Sequence, residues 1–114
     1  MPQEFWSRLD ALLAGHEVVL DRPRGTAHPR YPDLVFPLDY GYLEGVAGGD
    51  GDGLDVWRGS ADHTRLVAVV CTIDLNKLDA EYKLVIGATE DDLRTIEAFH
   101  NGRWQSAVLV RRPA

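Results

Sequence analysis

Between Gly48 and Asp55 the chain reads Gly-Gly-Asp-Gly-Asp-Gly-Leu-Asp, three carboxylates within six residues and four glycines around them. Carboxylates held that close repel one another by about 1 kcal/mol per pair at 4 Å in water, and by more in a less polar site. A cation relieves that repulsion. The stretch follows Tyr40-Gly41-Tyr42 directly and runs into Leu54-Asp55-Val56-Trp57, whose apolar and polar residues alternate as in a half-buried strand.

The rest of the chain limits what such a loop can serve. With 114 residues there is enough for one domain, residues 1–114, with a single core. A net charge of −6 argues against nucleic acid, because counterion release needs a basic face. No apolar run approaches the roughly 18 to 20 residues of a bilayer helix, so no membrane partner is expected. Met1-Pro2-Gln3-Glu4 lacks the basic and then apolar plan of a signal peptide, and the single Cys71 excludes an internal disulfide. The expected location is the cytoplasm.

Phe5, Trp6, Leu9, Leu12 and Leu13 recur at helical spacing, with Gly15 as the stop. Glu17 to Arg22 reads as a strand ended by Pro23, and three prolines mark Arg22 to Pro32 as a loop. Short strands are expected at Leu34–Pro37, Tyr40–Leu43, Leu54–Trp57, Leu66–Cys71, Tyr82–Gly87 and Trp104–Val110, with Asp74 to Glu81 as a polar turn. Thr89-Glu90-Asp91-Asp92 is a variant capping box, opening a helix through Leu93, Ile96 and Phe99 to Asn101-Gly102. Seven or so strands with a helix near each end predict an α+β fold, mainly β, as an antiparallel barrel with helical covers. Cys71 fits a small core residue.

Three readings compete for the acidic loop. It fits a solvated turn, since Asp and Gly are common turn residues. A calcium loop fails: an EF-hand starting at Asp50 puts Asp55 where glycine must turn the chain, and a calcium-binding nonapeptide needs Asp where Gly53 stands. A magnesium site remains, built from one or two carboxylates, waters and substrate phosphate oxygens, with manganese as the alternative ion. That reading requires cationic and hydroxyl groups from elsewhere. Glu81 and Lys83, two apart on a strand, share a face, so one adds a metal ligand while the other neutralises phosphate. Tyr40 leads toward the loop, and Arg30 sits in the proline-framed segment. Each also has an ordinary reading, Tyr40 as core and the two cations as solvated surface. The four histidines are too scattered for a zinc spacing, although His28 lies close to Arg30.

Taken together these residues resemble family I inorganic pyrophosphatases. The family signature Asp-x-Asp-Pro-x-Asp-x is matched by Asp50-Gly51-Asp52-Gly53-Leu54-Asp55-Val56, and Tyr-Pro-x-Asn-Tyr-Gly-Tyr by Phe36-Pro37-Leu38-Asp39-Tyr40-Gly41-Tyr42. Asp21, Pro23 and Arg30 match an earlier motif, and Glu81-Tyr82-Lys83-Leu84-Val85 a later one, so the likeness runs from Asp21 to Val85. It implies an OB-like five-stranded barrel, magnesium-dependent hydrolysis of pyrophosphate to two phosphates, and a homo-oligomer. Asp50, Asp52, Asp55 and Glu81 would hold metal; Asp52 would also take a proton from the attacking water; Lys83, Tyr40 and Arg30 would contact phosphate. Asp21 would stand for the acid on the first barrel strand.

The chain departs from the pattern in several places. Phe36 replaces a tyrosine, Gly53 a proline and Glu81 an aspartate. Asn76 stands at another acidic position, with Asp74 and Asp79 near it. The hairpin expected between Arg30 and Val35 is missing, and only His100 or Arg103 approximates the tyrosine–lysine pair after the last helix. Two alternatives follow: a hydrolase of another small phosphorylated compound, or a non-catalytic relative that binds metal or phosphate.

Overall fold

Both faces of the central sheet are apolar, which explains why the segment from Leu66 to Cys71 shows no polar alternation. A computed structural model describes residues 2–49 and 51–114. Its elements are α1 (Gln3–Gly15), β1 (Val18–Arg22), β2 (Asp39–Ala47), β3 (Gly53–Arg58), β4 (Leu66–Asp74), β5 (Asp79–Ile86), α2 (Glu90–Phe99) and β6 (Gln105–Arg111). The fold is α+β and mainly β, and the strands form one sheet in the order β1-β2-β3-β5-β4-β6. Trp6 and Leu9 of α1 pack on one face with Leu43, Leu54, Val56, Val69 and Leu84. Leu93 and Ile96 of α2 pack on the other with Tyr40, Trp57, Val70 and Val85. Val69 and Val70 therefore bury on opposite faces, as the two-residue period requires.

Two expectations need correction. The sheet is not wholly antiparallel: β5 returns from the β4 hairpin into the place beside β3 and runs parallel to it, with Val56 opposite Leu84 and Trp57 opposite Val85. Leu34–Pro37 forms no strand. Only the bridge Ala27–Val35 joins that segment to the loop before it, because Pro37 lacks an N–H and Phe36 turns into the α2-side core. Cys71 is half-buried, packed against the α1-side core. Among the described residues no ladder joins β1 to β6, so the sheet is open. No helix is long and apolar enough to cross a membrane.

The predicted capping box is present: Thr89 Oγ1 accepts from the Asp92 N–H at 3.1 Å, and Asp92 Oδ2 accepts from the Thr89 N–H at 3.0 Å. Just past α2, Asn101 Nδ2 donates to the Ala107 carbonyl at 3.2 Å and its Oδ1 accepts from the Ala107 N–H at 3.1 Å. One side chain thus takes the place of a neighbouring strand at that point of the β6 edge.

Gly41 explains the Tyr-Gly-Tyr motif. A β-carbon there would overlap the Val19 carbonyl of β1, where the β1–β2 register shifts. We expect Gly41→Ala to lower stability by roughly 1–3 kcal/mol through overpacking against backbone, read as the shift of the urea midpoint. An unchanged midpoint would show that β1 yields freely.

Candidate functional site

On the face covered by α2, β3, β4 and β5 change from apolar to polar toward one end. Along β5 the same-face sequence is Val85, Lys83, Glu81; along β3 it is Trp57, Asp55; along β4 it is Val70, Thr72, Asp74. The parallel pairing of β3 with β5 places Asp55 next to Lys83, and the antiparallel pairing of β2 with β3 brings Tyr40 beside them. The polar ends form the floor of a cavity of about 790 Å³.

The floor is one connected cluster. Lys83 Nζ donates to Asp55 Oδ2 at 2.8 Å and also to Glu81 Oε1, while the Tyr40 hydroxyl donates to the same Asp55 Oδ2 at 2.6 Å. Lys83 is only 4% exposed. Burial disfavours its charge, but the negative Asp55 and Glu81 carboxylates that accept its hydrogen bonds outweigh burial and hold the ammonium pKa above its ordinary value. Burial raises the Tyr40 phenol as well, so Tyr40 remains a hydrogen-bond donor at neutral pH.

Asp21, Arg30 and Asp52 line the same cavity. Asp50 lies outside the described residues. Asp74 faces the cavity, but its Oδ1 accepts the Asn76 and Lys77 N–H groups of the β4–β5 turn, at 2.8 and 2.9 Å. Asn76 binds the Tyr31 hydroxyl at 3.2 Å, and Asp79 pairs with Lys77 at 3.5 Å. Arg103 reaches the rim, where it pairs with Asp33 and lies over the Tyr31 ring at 5.1 Å. Phe36 is buried among Tyr40, Trp57 and Phe99 and brings no hydroxyl to the cavity it lines.

Several lining residues had not been singled out as site residues from the sequence. Arg22 and Lys77 line the cavity, and with Arg30 they add to burial in lowering the His28 pKa. The three arginines between Arg22 and Arg30 were visible in the sequence; Lys77, in a turn remote from them, carried no signal. His100 closes the inner wall: Trp57 Nε1 donates to its Nε2 at 2.9 Å, and its Nδ1 lies 2.7 Å from Gln105 Oε1.

The donor set fits a magnesium ion in one respect. Asp55 and Glu81 each direct an oxygen at a single ammonium, and magnesium uses one or two carboxylates with waters and phosphate oxygens completing the shell. Among the described residues no three His, Cys, Asp or Glu side chains form a metal cage. The chain matches no family model, no curated protein and no solved structure.

Proposed function

We propose that this chain is a magnesium-dependent phosphoanhydride hydrolase, an inorganic pyrophosphatase by its motifs. The observation that carries the reading is the meeting of Tyr40, Asp55, Glu81 and Lys83 in one hydrogen-bonded cluster, in a cavity that Asp52 and Arg30 also line. Those six residues come from motifs spread over more than fifty positions, and their lining of one cavity supports the reading. The finer fold reading, an OB-like barrel, is supported by the order β1-β2-β3-β5-β4 with its one parallel step, an arrangement suited to a partly open five-stranded barrel.

Asp50, Asp52, Asp55 and Glu81 would hold magnesium, which when bound lowers the pKa of water and offsets charge on the phosphoryl group. Asp52 accepts the proton of the attacking water. Lys83 and Arg30 hold phosphate oxygens and offset negative charge, and Tyr40, kept protonated by burial, orients Asp55 and donates a hydrogen bond. The work is positioning and electrostatics.

Phosphate release from pyrophosphate at millimolar magnesium tests the reading. Asp52→Asn is expected to lower the rate about a hundredfold, the usual scale for a proton acceptor, with the fold intact because Asp52 is exposed. Absence of magnesium-dependent turnover, or an unchanged rate in the variant, would reject the hydrolase reading and favour a non-catalytic binder.

A further inference from the structure

We infer that Arg22 is a phosphate-binding residue of this site, a guanidinium turned into the cavity by a bulge in β1 and held on the Phe36 ring to meet the second phosphoryl group of pyrophosphate. This adds a residue to the site just described and rests on that reading.

The backbone aims the side chain. Val18 and Leu20 of β1 face the α1 side, where they line a separate cavity with Leu13 and Ala14. Strict alternation would send Arg22 the same way. The register prevents it: Val19 stands opposite Tyr42 but Arg22 opposite Tyr40, so Leu20 and Asp21 together oppose Gly41. Two residues fit there because Gly41 has no side chain to meet the Val19 carbonyl. The extra residue reverses the facing, and Arg22 joins Tyr40 on the α2 side, lining the site cavity. Bulges re-aim side chains in this way beside active sites.

The guanidinium so placed is half-buried and has donors to offer an anion. Its central carbon lies over the Phe36 ring, 5.7 Å from the centroid, a contact that positions the cation without using its N–H groups. Five cationic side chains line the cavity. Lys83, Lys77 and Arg103 pair with carboxylates, whereas among the described residues neither Arg22 nor Arg30 does. A planar guanidinium with its fork open matches two phosphate oxygens at once.

Its place relative to Lys83 suits a diphosphate. Lys83 Nζ lies over the Tyr40 ring at 5.8 Å, and Tyr40 stacks on Phe36 with 5.1 Å between centroids. The two cations therefore rest on neighbouring rings, one on the floor and one on the adjoining wall. Burial first, then Arg22, Lys77 and Arg30, lowers the His28 pKa, which marks that wall as electropositive.

Calorimetric titration of the natural chain and its variants with imidodiphosphate in magnesium, and with magnesium alone, tests the inference. Arg22→Met is expected to weaken imidodiphosphate about tenfold to hundredfold, the scale of one hydrogen bond to a charged group. Magnesium affinity and the thermal midpoint should stay as they are, because Arg22 holds neither the carboxylates nor another ion pair. Arg22→Lys should recover part of the loss, keeping the charge but not the fork. Unaltered imidodiphosphate affinity in Arg22→Met would overturn the inference and leave the hydrolase standing. An equal loss of magnesium affinity would overturn it too, by showing a change in the fold around the site. Arg22-dependent imidodiphosphate binding without pyrophosphate turnover would keep the residue's role and remove the catalysis.

Discussion

Replacing Lys83 by methionine is expected to destabilise the metal-free protein by about 3–5 kcal/mol, the range seen when one partner of a buried charge group is removed. Its ammonium is buried and holds Asp55 and Glu81 together. Methionine fills similar space but leaves two carboxylates facing each other, with the Glu81 side chain only 8% exposed. Magnesium should then recover much of the loss, because it replaces the missing cation between the same oxygens. Binding to the folded state alone stabilises by about 2.7 kcal/mol at a hundredfold excess over Kd. In the natural chain the gain should be smaller, since magnesium competes with the resident ammonium for Asp55 and Glu81. Thermal unfolding of both proteins with and without magnesium measures the difference. Equal magnesium responses would mean that these two carboxylates do not share a cation site. Hydrolysis by the variant should fall about 10²–10³-fold even with magnesium bound, because the charge opposite phosphate is lost.

That cluster was partly legible in the sequence. Glu81 and Lys83 had to share a face because a strand repeats every two residues, and the glycines around Asp52 and Asp55 marked an approach to something small. The polar ends of β3, β4 and β5 gather at one end of the sheet because Asp55, Thr72 and Lys83 each lie two residues from an apolar residue on the same face. Other features were not local. The parallel step from β3 to β5 depends on where the β4–β5 hairpin inserts, and no residue in either strand encodes that. Leu34–Pro37 had strand composition, yet Phe36 turns inward and Pro37 offers no N–H, so one bridge is all that forms. Lys77 and Trp104 reach the cavity through a turn and a helix exit, and neither has a periodic signature.

Acid should unfold the protein through His100 before its carboxylates contribute. Burial pushes this imidazole down to about 4, against an ordinary value of 6.5, with the Gln105 bond opposing only in part. Trp57 Nε1 donates to Nε2, so the ring is neutral with its proton on Nδ1, facing Gln105 Oε1. A second proton would set two donors against each other. Between pH 6.5 and about 4 the unfolded chain therefore binds a proton that the folded chain refuses, and stability falls as pH falls through that window. Above it both forms are neutral; below it both are charged and the histidine contributes no further change. The full loss is about 3 kcal/mol, at 1.36 kcal/mol per pKa unit. His28, also lowered by burial and by Arg22, Lys77 and Arg30, acts in the same direction. Asp10, Glu90 and Asp92 have lowered pKa values too, so their share is lost only below their ordinary 3.8 to 4.5. Urea midpoints from pH 7 to pH 4.5 isolate the histidines. His100→Gln, which can still accept from Trp57, should start lower at pH 7 by about 1 kcal/mol and decline less toward pH 4.5. If the variant and the natural chain decline in parallel, the acid sensitivity lies elsewhere and the neutral Trp57–His100–Gln105 chain does not govern it.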